Sequence, residues 1–94
     1  MRARAGGGDS AVEKLYRLVG GKAEALEFVA QKGDPYIGIP LKDLTMRQNT
    51  LVAVIVHRNK VIVPSGNDVI EAGDNVLIIT RQSGVGDLNE VIRK

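Results

Sequence analysis

Residues 51 to 63 read Leu-Val-Ala-Val-Ile-Val-His-Arg-Asn-Lys-Val-Ile-Val. Two β-branched apolar runs flank Arg58-Asn59-Lys60. Valine and isoleucine favour extended backbone, where their side chains pack on a pleated surface. Asparagine accepts the left-handed conformation that a tight reversal needs. The stretch therefore predicts a β-hairpin. Pro64 ends it, because proline cannot donate to a strand ladder. The first run, 51 to 57, is almost continuously apolar, which predicts a central strand covered on both faces. A third run, "NVLIIT" at 75–80, predicts the next strand. Three strands with no helix between them argue for an α+β antiparallel domain and against a Rossmann unit.

The other segments divide by their punctuation. Residues 1–9, "MRARAGGGD", lack apolar anchors and read as a flexible leader or a cloning remnant. Residues 10–21 predict a connecting helix. Ser10 and Glu13 have capping-box spacing; Val12, Leu15, Tyr16 and Val19 recur at helical spacing; Gly20-Gly21 stops the run. Its apolar stripe would need a surface to lie on, such as a partner domain. Ala23 to Ala30 is ambiguous: composition favours helix, whereas a strand would put Leu26 and Phe28 on one face. Pro40 is placed to start one helical turn, with Leu41 and Leu44 on a common side. Asp87 and Glu90 repeat the capping-box spacing, and Leu88, Val91 and Ile92 would follow in a final short helix.

Bulk properties exclude several classes. With 94 residues the chain is at most one domain, and a domain this small gains from a partner subunit. Only Tyr16, Phe28 and Tyr36 are aromatic, so base stacking on single-stranded nucleic acid is nearly ruled out. The formal charge of +2 is spread without a basic stripe, which argues against a nucleic-acid polymer as partner. There is no cysteine for a disulfide or thiolate site. A single histidine, His57, cannot build a multi-histidine metal centre. No apolar run reaches the roughly 20 residues of a membrane span, and the first ten residues lack the apolar core of a secretory signal. The expectation is a soluble, cytoplasmic domain.

The search for chemistry returns few partners. Gly84-Val85-Gly86 lacks the third glycine of a dinucleotide fingerprint. Asp34, Asp43, Asp68, Glu71 and Asp74 are scattered at turns, where such acids usually bond nearby backbone N–H groups. As a catalytic base, His57 would need an orienting carboxylate and a nucleophile, for which Ser65 is the natural choice. The reading from the residues is therefore non-enzymatic. The turn "EAGDNV" is similar to the Gly-Asp turn of lipoyl and biotinyl carrier domains, and Lys60 sits at a hairpin reversal as their modified lysine does. In those carriers, however, the Gly-Asp turn precedes the lysine hairpin, and here it follows.

The stretches "GGKAEALEFVA", "GIPLKDLTMRQNTLVAVIV", "NKVIVPSGNDVIEAGDNVLIIT" and "GDLNEVI" occur in an order that resembles one family. It is the C-terminal regulatory domain of TrkA-type potassium-transport proteins, the RCK C-lobe, and the resemblance runs from about Gly20 onward. It implies an α+β fold over 22–94, a small antiparallel sheet with short helices, paired as a homodimer. It makes Ala23 to Ala30 a strand against local propensity, and 10–21 the tail of a helix from an N-terminal lobe. NAD or ATP would bind that N-lobe, and no cofactor is implied for this chain. The parent proteins gate a membrane potassium channel or transporter subunit from the cytoplasmic side. In some relatives the dimer cleft binds cyclic di-AMP. Of that pattern, Arg47 matches a basic position near the phosphates and Pro64 a proline packed against a base. His57 is the third ligand-binding candidate. Thr50 stands where many relatives have Asn, and Asn49 is one residue away. The rival class is a dimerisation module that binds no small ligand.

Overall fold

The computed structural model describes residues 12–81, 85, 86, 88 and 91–93. Five strands form one antiparallel sheet: β1 (Val12–Leu18), β2 (Ala23–Val29), β4 (Thr50–His57), β5 (Lys60–Ile62) and β6 (Asn75–Thr80), in the order β1-β2-β6-β4-β5. Two further strands, β3 (Thr45–Met46) and β7 (Ile92–Arg93), pair antiparallel on their own. The small antiparallel sheet agrees with the expected fold class. Its helices are slighter than expected: the helical elements with described bounds are single 3-10 turns at Val19–Gly21 and Leu41–Asp43.

The middle strand is β6, bonded to β2 on one side and β4 on the other. Side chains alternate across a sheet, so Val76 and Ile78 share a face with Leu26, Phe28, Val52 and Ile55. All six are buried. The cover over this face is irregular chain. It supplies Tyr36, Leu41, Leu44, Ile70, Val85, Leu88, Val91 and Ile92 to the same core. Segments 38–42 and 66–70 run side by side: Leu41 N–H donates to the Asp68 carbonyl, Lys42 to Gly66 and Gly38 to Ile70. At Gly66 a Cβ would lie 3.1 Å from the Lys42 Cβ, so this close approach explains the glycine.

Irregular cover must satisfy its own backbone, because buried N–H and C=O groups cannot go unpaired. Here one device occurs three times. Asp34, Asp68 and Asp74 each donate N–H to the carbonyl three residues back, at 3.1, 3.1 and 3.0 Å. Each also accepts, on its carboxylate, the N–H of that same residue: Gln31 at 3.2 Å, Ser65 at 2.7 Å and Glu71 at 2.9 Å. The scattered acids are thus turn closers, as their positions predict. Asp34 does more, accepting the hydroxyl of the fully buried Tyr36 at 2.6 Å.

Ala23–Val29 is a strand, as the family resemblance implies. Composition favours helix there, but β6 offers it a full ladder and a buried face. The Arg58-Asn59 reversal also holds: φ is +51° and +67°, the left-handed pair of a tight hairpin turn. Three expectations need correction. Residues 10–21 do not form a connecting helix where they are described: Val12–Leu18 is a strand antiparallel to β2, and Val19 to Gly21 turn the hairpin. A run this short is marginal as an isolated helix, whereas the open edge of β2 offers seven residues of ladder. The 51–57 run is interior but covered on one face only, since Leu51 is 55% exposed. Of the final helix, Asp87 and Glu90 lie outside the described residues, and Ile92 is in β7.

The three turns differ in burial, so they should differ in cost. Asp34→Ala removes the acceptor of a buried phenol and is expected to lower unfolding free energy by about 2–3 kcal/mol. Asp68→Ala, whose partners are exposed, should cost about 1 kcal/mol or less. Urea unfolding midpoints measure both, and equal losses would contradict this ranking.

Candidate functional site

The described residues hold no group of three His, Cys, Asp or Glu that could ligate a metal ion. One shallow depression of about 170 Å³ lies on the uncovered sheet face, lined by Glu27, Val54, Val56, Asn75, Val76 and Leu77. Asn75 Nδ2 donates to Glu27 Oε2 across its floor at 3.0 Å. Ligand pockets for drug-sized molecules run from about 300 Å³ upward. This depression is too small to enclose a nucleotide.

The three candidate residues do not converge. Arg47 is exposed and lies in the connection from β3 to β4, held by its N–H to the Val91 carbonyl at 2.9 Å. His57 is at the far end of β4. Seven residue steps separate Thr50 from His57, or roughly 23 Å at the usual rise. Pro64 follows β5, whose Ile62 pairs with Ile55, and so returns alongside the middle of β4. Arg47 and His57 flank opposite ends of β4, and Pro64 lies between them in register.

His57 has a structural partner. Its Nδ1 is 2.5 Å from Asp74 Oδ1. Asp74 is almost fully buried and uses its other oxygen to close the turn at Glu71. Gly73, at φ +89°, allows that turn. The pair ties the end of β4 to the start of β6. Ser65 is engaged elsewhere: its hydroxyl is 3.3 Å from Asp68 Oδ2. The orienting carboxylate that His57 would need is present, but the candidate nucleophile is bonded to a different acid.

The Arg47 end is richer than the sequence suggests. Thr50 and Thr80 face each other and their hydroxyls are 2.9 Å apart, so Thr50 is committed to its cross-strand neighbour. Asn49 takes a left-handed φ of +61°, and its carbonyl accepts the N–H of Arg81 at 3.0 Å. That bond brings a second exposed cation, Arg81, beside the loop of Arg47. Sequence reasoning missed Arg81, because it is 34 positions away and only the β4–β6 register joins them. Glu24 lies on the same row, opposite Thr80, with its Oε1 buried and without a hydrogen-bond partner. It adds negative charge to one flank of this end.

Comparison with known proteins gives the fold its place. The TrkA-C domain model matches residues 25–93. The chain belongs to the TrkA-C domain family. A Trk system potassium uptake protein TrkA homolog 2 from Methanosarcina mazei is 30% identical over 82 residues, 87% of this chain and 18% of that protein. A Trk system potassium uptake protein TrkA homolog from Archaeoglobus fulgidus is 33% identical over 66 residues, 70% of this chain and 15% of that protein. The Trk system potassium uptake protein TrkA of Azorhizobium caulinodans is 24% identical over 82 residues, 87% of this chain and 18% of that protein. The chain thus spans less than a fifth of the length of these relatives. The TrkA-C match covers Lys60 and the Gly73-Asp74 turn together, and so displaces the carrier-domain reading. Among the described residues no helix is long and apolar enough to cross a membrane.

A TrkA-C domain with this geometry should use His57 for stability. His57→Ala is expected to cost about 1–2 kcal/mol of unfolding free energy. Ser65→Ala should stay within about 1 kcal/mol. Thermal or urea unfolding of the two variants checks this, and an unaltered midpoint for His57→Ala would remove the pair from the scaffold.

Proposed function

We propose that this chain is the regulatory, non-catalytic domain of a cytoplasmic potassium-uptake protein, acting on a membrane transport subunit by conformational change. The observation that carries the reading is the TrkA-C match over residues 25–93, laid on a sheet of the expected antiparallel kind. Trk system potassium uptake proteins are the relatives that share it. A preceding lobe would hold NAD or ATP, and this domain would answer to a second ligand or to its partner subunit. An effector shifts a two-state arrangement only by its differential affinity for the two states.

The ligand surface is the Arg47 end of the sheet, with Pro64 as an apolar wall and Arg81 as a second cation. Guanidinium groups match phosphate oxygens in geometry and charge. A two-fold cleft suits a two-fold ligand, because each subunit presents the same patch. Cyclic di-AMP has that symmetry and two phosphates. His57, held by Asp74 at the opposite end of β4, is left out of this proposed surface.

A second reading is a dimerisation module without a small ligand. The uncovered sheet face favours it. Leu51 and Tyr16 are about half exposed there, with Val54, Val56, Leu77 and Ile79 between them. Apolar surface of this extent commonly marks an interaction site.

Calorimetric titration with cyclic di-AMP separates the readings. Saturable heat, weakened about tenfold or more by Arg47→Ala and by Arg81→Ala, is the expected result for the ligand reading. A dimer by light scattering with no heat at high micromolar ligand would favour the module. Unchanged affinity in Arg47→Ala would take Arg47 out of the site.

A further inference from the structure

At one place the open face of the sheet sets an acid among apolar neighbours. Opposed residues share a face, so the pairs Glu27–Leu77, Val54–Leu77 and Val56–Asn75 bring five side chains together there. All five are half-buried and line the depression of about 170 Å³, and Glu27 is the charged residue in that lining. Leu51, 55% exposed, extends the apolar surface beyond it. Asn75 stands diagonal to Glu27 on the β2–β6 ladder, and its Nδ2 donates to Glu27 Oε2 at 3.0 Å. Lys14 is opposite Glu27 on the β1 side. Among the described residues, Glu27 nevertheless forms no ion pair, and Asn75 is its hydrogen-bond partner.

A carboxylate offers about four acceptor sites, and one neutral amide donor occupies one of them. Water satisfies the rest while the face is open. A chain that covers the face expels that water, and a carboxylate taken out of water needs a counter-charge and further donors. The cover must therefore bring a cation to Glu27. The walls set the form of that cation. Val54, Val56 and Leu77 offer an apolar lining, and lysine and arginine bury an aliphatic stem while their heads keep polar contacts. The volume is below the usual range for enclosing a free ligand, which favours a single side chain held in place from outside. A second copy meeting depression to depression about a two-fold axis would set Glu27 against its own twin. The cation is thus assigned to a different polypeptide.

We propose that this depression receives one lysine or arginine side chain from a partner protein lying on the open face. The stem packs on Val54, Val56 and Leu77, and the head takes the acceptor sites of Glu27 that Asn75 leaves. Asn75 acts as a positioning residue, since its bond fixes the carboxylate within the lining. The site draws on none of Arg47, Arg81 and Pro64 and does not depend on cyclic di-AMP.

The test titrates the 94-residue chain with capped lysine, Nα-acetyl-lysine methylamide, and reads backbone amide shifts by NMR. Shifts at Glu27, Val54, Val56, Asn75 and Leu77 are expected to saturate over roughly 1–100 mM probe. Nα-acetyl-norleucine methylamide has a similar stem without the charge, and is expected to bind at least about fivefold more weakly. Glu27→Gln keeps an acceptor for Asn75 and removes the charge. It is expected to weaken the lysine probe by about fivefold or more and to change the norleucine probe by less than about twofold. Glu27 is half-buried on the open face, so the core stays in place, and circular dichroism checks the fold. No saturable shift at these amides, equal binding of the two probes, or unchanged lysine binding in Glu27→Gln would each overturn the proposal. Three results would overturn it by naming another occupant. Shifts at the same amides that grow with protein concentration alone assign the face to a second copy. A change at Glu27 and Asn75 on removing residues 1–9 assigns the depression to Arg2 or Arg4. A gain in probe affinity of about fivefold or more in Lys14→Ala assigns Glu27 to Lys14. The cyclic di-AMP titration reads a different surface, so the two readings fail separately.

Discussion

Among the described residues the sheet is covered without a long helix, and that constraint governs the rest of the structure. A helix satisfies its own backbone, and irregular chain does not. Among the described residues, the cover over Val76, Ile78, Leu26 and Phe28 includes turns, the short strands β3 and β7 and the 3-10 turn at Leu41–Asp43. Its backbone is satisfied piece by piece. Three aspartates close three turns with the same reciprocal pair of bonds. The segments they define then bond to each other, 38–42 against 66–70, and lower Tyr36, Leu41 and Ile70 into the core.

The same arrangement sets where chemistry can occur. The acids are consumed by turns, and the lone histidine is consumed by Asp74. What the fold leaves exposed is of two kinds. One is the Arg47 loop with Arg81 bonded to it through the Asn49 carbonyl. The other is apolar sheet surface, on the open face. Those features are what the proposed binding and association would use. The chain's place in the TrkA-C family and its likeness to Trk potassium uptake proteins are what suggest a regulatory setting for it.

Much of the sheet was legible in the residues. The hairpin of β4 and β5 followed from β-branched runs about an Asn reversal, and β6 from a third such run. The turn at Leu41 followed from Pro40 and two leucines. Family resemblance was needed for β2, because Ala, Glu and Leu carry a helical preference that only the β6 ladder overrides. The first strand was misread as a helix. Val12, Leu15, Tyr16 and Val19 fit a helical period, and nothing local records that a partner strand lies across the Gly20-Gly21 turn.

The sequence by itself determined the strands whose residues prefer extended backbone, the turns whose residues permit left-handed or capped geometry, and the family. Those properties are local, or lie in the order of motifs along the chain. Tertiary structure alone decided which face of each strand is buried, that β6 is the centre, that Arg81 bonds the Asn49 carbonyl in the loop of Arg47, and that His57 is held by Asp74. Each of these depends on register between segments far apart in the chain. Register is set by the summed burial of a whole face and not by any one residue's preference.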